Sequence, residues 1–583
     1  MVSFFNFSGN YAKLEVMIRD ELIQLVERAA RQARLPARLD SARQARLPAR
    51  LDSARQARLP ARQASFGARE EIRIDRPAEE SHGDYSTNFA LQIAKAVKIS
   101  PQQIAAHLQS HILSLRPDLF EKIEIVEPGF INFFISAKYL QNQVATILEK
   151  KEKFGHLNLG RSKKTNVEFI SANPTGPLHV GNGRSAFSGD VLANVLAAAG
   201  YKVVREYFIN DAKNSKQIIE LGKTALGKGE VYLSEYLKLK IQSVRWRTKL
   251  TEGDAGFLLA KEVQADTKAL LEKKLKIKFD KWISEEKDLY QKNKVKKTLE
   301  WLKQKNLVYQ KEGAWWVKSS QFGDDKDWVV IRESGEPTYL LSDIAYHKDK
   351  IDRGFEMIID IWGADHQAHV QKMKAAVGML GYQGQLDILV LQLVTLKGGE
   401  KLSKRKGQVI MLEDLIDEIG LDAARFFYLQ KSLDTHMEID IGLAKEQSQK
   451  NPVYYVQYAH ARICSILAKA NAKNAKPLHD LLNHPSELRL IKQLLKLPEV
   501  IEDTANDYQL QRLPYYAVEL AMVFHQFYQD CQVISEDKKL TQARLFLVLS
   551  AKTALKNTLS LMGVSAPRLC PGKNVAATLI KKT

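Results

Sequence analysis

Cysteine is nearly missing from this chain, with three in 583 residues: Cys464, Cys531 and Cys570. Far apart and odd in number, they argue against a disulfide framework or a cysteine-rich zinc site. They fit a reducing cytoplasm. Long apolar runs are also missing. None approaches the ~20 residues of a membrane span, so no membrane partner is expected. The stretch Met1 to Tyr11 lacks a basic segment followed by an apolar core, so no secretory signal is read there. Acidic residues are outnumbered, 68 Asp and Glu against 87 Lys and Arg, which leaves a formal charge of +19. That balance favours a polyanionic partner such as nucleic acid.

Part of the charge is local. Residues 31–62 hold nine Arg and two Asp, a net +7 that leaves +12 for the rest. The run Arg31-Gln32-Ala33-Arg34-Leu35-Pro36-Ala37-Arg38-Leu39-Asp40 recurs at Arg43 and in part at Arg55, with a period of 12. That period is too short for a solenoid unit. The prolines at 36, 48 and 60 interrupt any continuous helix. A disordered or frayed insert is the plain expectation. A basic arm on RNA backbone is the alternative, and a lipid-surface role is a third.

A 45% hydrophobic content allows large cores, and the length suggests about four domains. Residues 1–160 read as an α+β module, with apolar helical spacing over Tyr11 to Ala30 and Pro101 to Leu115. Phe130 to Ile135 reads as its strand. From 161 to 445, strand-like Val167–Ile170 and Tyr201–Tyr207 alternate with a helix over Ser185 to Ala199. That alternation predicts a doubly wound parallel sheet. A Lys-rich stretch, 213–330, reads as an inserted helical subdomain. Residues 446–583 read as all-helical, with candidates at Asn451–Lys469, Ser486–Tyr508, Pro514–Cys531 and Thr541–Met562.

Two segments carry chemistry. Ser171-Ala172-Asn173-Pro174-Thr175-Gly176-Pro177-Leu178-His179-Val180-Gly181-Asn182-Gly183-Arg184 joins a strand to a helix N-terminus. Free N–H groups and the helix dipole favour phosphate there. Gly181 lets a nucleotide approach the backbone, and His179 can donate to an α-phosphate as charge builds. The second segment, Lys401-Leu402-Ser403-Lys404-Arg405-Lys406-Gly407, lies 222 positions beyond His179. It reads as a cationic loop between strand-like Leu389–Leu396 and Val409–Leu412, able to close over pyrophosphate.

In this order the segments resemble the His-Ile-Gly-His and Lys-Met-Ser-Lys signatures of class I aminoacyl-tRNA synthetases. Asn182 stands for the last His and Leu402 for Met. Three further runs resemble the arginyl-tRNA synthetase family. These are Phe322 to Asp327, Tyr339 to Tyr346, and Gly363-Ala364-Asp365-His366. The resemblance implies a Rossmann-type catalytic core between an N-terminal tRNA-elbow module and a helical anticodon-binding domain. It implies ATP, with Mg²⁺, as a substrate, and L-arginine and tRNA(Arg) as partners of a cytoplasmic monomer. Activation is expected to need bound tRNA. The catalytic residues carried over are His179, Asn182, Lys401, Ser403 and Lys404; no resident metal is expected. ATP contacts add Pro174, Gly176, Gly181, Gly363 and His366. Arginine contacts are Glu168, Ser171, Asn173, Tyr339, Asp343 and Asp365. A site of this kind needs carboxylates for a planar guanidinium, rejects citrulline by leaving them unpaired, and needs no editing domain.

For tRNA, Glu127 to Asn132 resembles the family's elbow-binding module, with Phe130 stacking on a base and Asn132 reading its edge. Asn451 to Arg462 resembles the opening of the anticodon domain. Tyr455 and Tyr458, three apart on one helical side, are its stacking candidates, with core packing as the alternative. His82 to Asn88 matches the same N-terminal module without an independent chemistry. The tail from Cys570 to Thr583 exceeds the family's usual ending and has no assigned role. Two rivals remain: a non-catalytic RNA-binding paralogue, supported only by Asn182, and a class I synthetase for another amino acid.

Overall fold

The computed structural model describes residues 17–33, 35, 72–244, 249–398, 410–470 and 478–569. The repeat beyond its first residues, the Lys401–Gly407 segment and the tail after 569 lie outside the described residues. The chain divides into two compact units. One holds Met1–Glu152, Lys469–Glu499 and Val523–Thr553; the other holds Lys153–Ala468, Val500–Met522 and Ala554–Thr583. No described helix is long and apolar enough to cross a membrane.

In the first unit, β1 (Tyr85–Thr87), β2 (Phe120–Val126) and β3 (Phe130–Ile135) form an antiparallel sheet in the order β1-β3-β2. Helices Phe89–Val97, Pro101–Leu115 and Ala137–Lys150 surround it in sequence. Ser100 accepts from Gln103 N–H at the start of the second, with Pro101 in its first turn. Ile104, Leu108, Ile131 and Phe133 are fully buried. Asp84, in the His82 to Asn88 run, accepts from Ile135 N–H at 2.8 Å and pairs with Lys492 at 2.7 Å. That gives the motif a structural chemistry: it ties a strand end to a helix.

The second unit is built on a five-stranded parallel sheet. Its strands are β4 (Lys164–Glu168), β5 (Lys202–Ile209), β6 (Lys281–Ser284), β10 (Met357–Gly363) and β11 (Gln385–Leu391). Their order is β11-β10-β4-β5-β6. The chain starts at the centre, runs outward through β5 and β6, then returns to the other side of β4. The reversal between β4 and β10 is the switch point where doubly wound sheets bind ligands beyond their carboxyl ends. The helix Val180–Ala198 follows β4. A Cβ on its Gly189 would stand 2.2 Å from the Phe169 ring, so only glycine permits this close approach to the strand end.

The stretch 213–330 is not helical throughout. It contains helices Lys216–Ala225, Glu235–Ser243 and Glu252–Ala269, but also β6 of the main sheet. A three-stranded antiparallel sheet, β7 (Val308–Lys311), β8 (Ala314–Val317) and β9 (Trp328–Ile331), follows. Strands of four residues bordered by lysines are too short for periodicity to separate from a helix. The helix Tyr339–Asp352 then buries Leu341, Ile344 and Tyr346 in the same core as Met373 and Val377. Beyond β11, β12 (Val394–Lys397) pairs in parallel with β13 (Met437–Asp440). Helices Pro452–Lys469, Pro485–Leu494, Leu497–Asp507, Arg512–Asp530 and Lys538–Met562 complete the described chain.

Candidate functional site

The carboxyl end of β4 opens into a strained turn. Ile170 and Ser171 both hold positive φ, 69° and 40°. For a β-branched residue this is a rare conformation, and such strain gathers at functional sites. Ser171 Oγ fixes the turn by donating to Glu168 at 2.9 Å and accepting from Phe208 N–H at 3.0 Å. Ser185 Oγ accepts from Ile170 N–H at 2.8 Å, tying the turn to the helix that follows. Asn173 is exposed, Pro174 is buried and Gly176 stands in open space.

His179 caps the helix Val180–Ala198. Its Nδ1 accepts from Gly181 N–H at 3.1 Å, while Asn182 Oδ1 accepts from His179 N–H at 3.0 Å. The reciprocal pair is a capping box. It also fixes a tautomer: with Nδ1 accepting, the neutral ring carries its hydrogen on Nε2. Desolvation lowers the ring's pKa from its ordinary 6.5, so the ring stays neutral at pH 7 with one donor left to aim. A Cβ on Gly181 would stand 2.9 Å from the His179 ring. Glycine there makes room for the histidine ring.

The exit of the second segment is stapled to the first. Val180 N–H donates to Ile410 carbonyl at 3.0 Å, and Leu412 N–H donates to Leu178 carbonyl at 2.8 Å. His179 and Met411 form the antiparallel bridge between them. Tyr428 OH adds a bond to Val180 carbonyl at 2.6 Å. Lys401, Ser403 and Lys404 lie outside the described residues. Met411 is bridged and Leu412 begins a helix, Leu412–Ile419, so the expected strand over Val409–Leu412 is not formed at its described end.

Across the sheet centre runs a row of acids. Glu168 is opposite Asp360 on one side and Glu206 on the other, so three carboxyls stand on one face, neighbouring strands being ~4.8 Å apart. All three are buried. Lys350 Nζ donates to Glu168 at 2.5 Å and to Asp360 at 2.6 Å. Arg353 forks onto both oxygens of Glu206, and Tyr346 OH donates to the same carboxylate at 2.8 Å. His347 Nε2 lies 2.8 Å from Asp360. Burial raises Glu168, with Lys350 pulling the other way. Burial also acts to raise Asp360 and Glu206, but their cations outweigh it and hold both below the usual range.

A second pair of carboxyls is not neutralised. Glu285 begins just after β6, and Asp343 sits one turn into the helix Tyr339–Asp352. Burial pushes Glu285 up to about 7; a hydrogen bond from Ser342 at 2.6 Å opposes this, and Asp343 and Asp211 reinforce it. Burial pushes Asp343 up to about 7 as well, opposed by His347 and reinforced by Glu168 and Asp360. Tyr339 is 55% exposed and has Glu285 among its neighbours. Among the described residues neither carboxyl forms an ion pair. Two carboxyls poised near neutrality match a planar cation that would ionise both on arrival.

The structure therefore gathers Glu168, Ser171 and Asp343 near the carboxyl end of β4, and sets Tyr339 near Glu285 just after the edge strand β6. It adds Glu285, Glu206, Asp360, Lys350 and Arg353, which the sequence reading did not single out. Asp360 carried a signal, being the one charge inside the apolar strand Met357–Gly363. Glu285 carried none, as one acid in an acidic run. Gly363 ends β10 and Asp365 and His366 lie on the helical turn after it, all three exposed, with Asp365 3.5 Å from His366.

The expected RNA contacts fall in both units. In the first, Phe130 is 38% exposed, but Asn132 is buried and its Oδ1 accepts from Ser86 at 2.7 Å. Asn132 is thus a buried sheet residue whose side chain ties β3 to β1. In the second, Tyr455 and Tyr458 are half-buried; Tyr458 stacks on Tyr454 at 6.3 Å and accepts from Arg462 at 2.7 Å.

Three family descriptions match this chain. "Arginyl tRNA synthetase N terminal domain" covers residues 52–135. "tRNA synthetases class I (R), catalytic domain" covers 143–219 and 223–447. "DALR anticodon binding domain" covers 456–569. An arginine–tRNA ligase of Bacillus subtilis is 41% identical over 526 residues, 85% of this chain and 94% of that protein. One from Carboxydothermus hydrogenoformans is 40% identical over 539 residues, 86% and 95% of the two chains. The Thermus thermophilus arginyl-tRNA synthetase structure superposes with a TM-score of 0.72 over 95% of this chain and all of that one. At 20% identity that likeness speaks for the fold.

Proposed function

The chain belongs to the arginyl-tRNA synthetase family, and from that premise we propose how its own side chains carry the reaction. It is an arginine–tRNA ligase. It joins L-arginine to tRNA at the expense of ATP. The arginine carboxylate attacks the α-phosphorus, forming arginyl-adenylate as the bond to pyrophosphate breaks. The terminal adenosine hydroxyl of tRNA(Arg) then takes the arginyl group and AMP leaves. Mg²⁺ accompanies the triphosphate as part of that substrate.

The observation that carries the arginine assignment is the uncompensated carboxyl pair, Glu285 and Asp343. Both are raised to about 7 and would ionise onto a guanidinium. Glu168 acts beside them but already shares Lys350, so its role is to complete a negative wall. Tyr339, Ser171 and Asn173 line the approach, and Asp365 serves the amino acid's other end. Citrulline presents no charge and leaves the pair buried without a partner. On the nucleotide side, His179 Nε2–H donates to the α-phosphate. Pro174, Gly176, Gly363 and His366 frame the nucleotide. Lys401 and Lys404 neutralise the departing pyrophosphate, with Ser403 supporting their loop.

Asn182 was the sole support for a non-catalytic paralogue. Its Oδ1 is spent on the His179 cap, which leaves its amide hydrogens to donate, so the substitution retains the cap and a donor. Residues 1–160 bind the tRNA elbow through Phe130, and residues 446–583 bind the anticodon through Tyr455 and Tyr458. Activation proceeds on the tRNA-bound enzyme, a cytoplasmic monomer. Charging of total tRNA with each labelled amino acid tests the reading. Arginine alone should be incorporated; incorporation of another amino acid, or of none, would refute it.

A further inference from the structure

Arg184 lies in the helix that His179 caps, five residues on, and the reaction as described does not use it. Its side chain is 1% exposed. Nη1 donates to Gln392 carbonyl at 2.9 Å and Leu393 carbonyl at 3.5 Å, and Nη2 donates to Ser432 carbonyl at 2.6 Å. No carboxylate pairs with it among the described residues. Desolvation lowers its pKa, with Asp434 acting only at a distance.

A buried guanidinium without a counter-ion is costly, so its place needs a reason. The carbonyls it holds belong to two separate chain segments. Gln392 and Leu393 lead directly into β12, and Ser432 leads toward β13, the partner of β12. Those segments also bond to each other, through Gln392 N–H to Leu433 carbonyl at 3.0 Å and Met437 N–H to Leu393 carbonyl at 3.1 Å. Arginine's rigid fork reaches the two segments with two separate nitrogens, Nη1 and Nη2, a span that a single ammonium nitrogen does not offer. On the same helix, Ser185 is tied to the end of β4 and Val180 to Ile410 and Tyr428. The His179 turn is therefore held from three sides, and Arg184 supplies the side facing β12 and β13.

We infer that Arg184 is a positioning residue, whose fork fixes the His179 turn against the β12–β13 pair so that the His179 Nε2–H meets the α-phosphate. It makes no contact with substrate. It acts through His179, and the inference rests on the nucleotide role proposed for that residue. A displacement near 1 Å at a reacting group commonly costs about 10²-fold in rate.

The test is ATP–pyrophosphate exchange with tRNA present, on purified Arg184→Met and Arg184→Lys, with thermal melting read in parallel. Arg184→Met should lower kcat by about 10²-fold and raise the ATP KM severalfold, with the arginine KM within twofold of the parent. Arg184→Lys, holding one segment at a time, should recover about a tenth of the lost rate. A loss of activity matched by a loss of folded protein, with both KM values unchanged, would make Arg184 merely structural and overturn the inference. So would unchanged kinetics. If Arg184→Met does not fold, Arg184→Lys and Tyr428→Phe, which removes the neighbouring tie to Val180, decide the matter. Parental kinetics in both would overturn the inference; a raised ATP KM with a parental arginine KM would sustain it. A parent enzyme with no arginine-dependent exchange would instead refute the functional reading, so the two failures are separable.

Discussion

Arginine binding should release protons below neutrality, and the amount can be worked from Glu285 and Asp343. Each stands near 7, against ordinary values of 4.5 and 3.8. At pH 6 both carry a proton for most of the time. A guanidinium arriving between them favours the ionised forms, so binding expels up to two protons. Apparent affinity should then rise about tenfold per pH unit for each group that must ionise, from pH 6 toward 7, and level off above about 8. Calorimetric titration of the enzyme with arginine, in two buffers of different ionisation enthalpy, counts the protons directly. The count should lie between one and two at pH 6 and near zero at pH 8.5. Tight binding at pH 6 with no proton release would refute the assignment of these carboxyls to the substrate. Glu285→Gln should reduce the count toward one and weaken arginine binding at pH 8, where the parent carboxylate is charged.

The same groups set a sign for stability. Their folded-state pKa values are raised, so the ligand-free protein binds more protons than its unfolded chain between about pH 4 and 7. Their favourable share is fully present at about pH 4 and is lost as pH rises through about 7. At 1.36 kcal/mol per unit, Glu285 alone disfavours the folded state above pH 7 by about 3 kcal/mol, an upper figure because the two carboxyls share one repulsion. Saturating arginine should remove this loss. Thermal melts across pH 5–9 with and without arginine should therefore diverge most on the alkaline side.

Three further outcomes are expected. Lys404→Ala should slow arginine activation by about 10²-fold while tRNA affinity holds, measured by exchange and by filter binding; an unchanged rate would remove that lysine from the chemistry. Lys350→Met should destabilise the protein by about 3–5 kcal/mol, because Glu168 and Asp360 lose a shared buried cation. A denaturation midpoint within error of the parent would show that the acid row needs no internal neutraliser. Deleting residues 31–62 should flatten the salt dependence of charging if the repeat is an RNA-binding arm, and leave it unchanged if the repeat is a spacer.

What the sequence disclosed, and what it hid, follows from how local each feature is. The strand–turn–helix arrangement around His179 was readable because its parts are contiguous, and the helix Val180–Ala198 begins where His179 can cap it. The C-terminal helices were readable from long amphipathic periods. Even so, the single helix expected over Ser486–Tyr508 is two, Pro485–Leu494 and Leu497–Asp507. The expected strand over Leu389–Leu396 is likewise two, β11 and β12. Breaks of two residues leave a periodic pattern almost undisturbed.

The hidden features are pairings across the sheet. Glu206 belongs to a strand separated by a helix from Glu168, and Asp360 lies 192 positions from Glu168. Only the register places the three side by side, and no spacing rule reaches across it. The same register explains why Lys350 and Arg353 are consumed internally. They offset the acid row, with His347 Nε2 in contact with Asp360, while Glu285 and Asp343 stand outside any such ion pair among the described residues. An arginine site built directly on the central acids would have to compete with Lys350 for Glu168 and Asp360 and with Arg353 for Glu206. Placing Glu285 just after β6 and Asp343 on the helix Tyr339–Asp352 leaves both outside those ion pairs, which is what the proposed arginine-binding role requires.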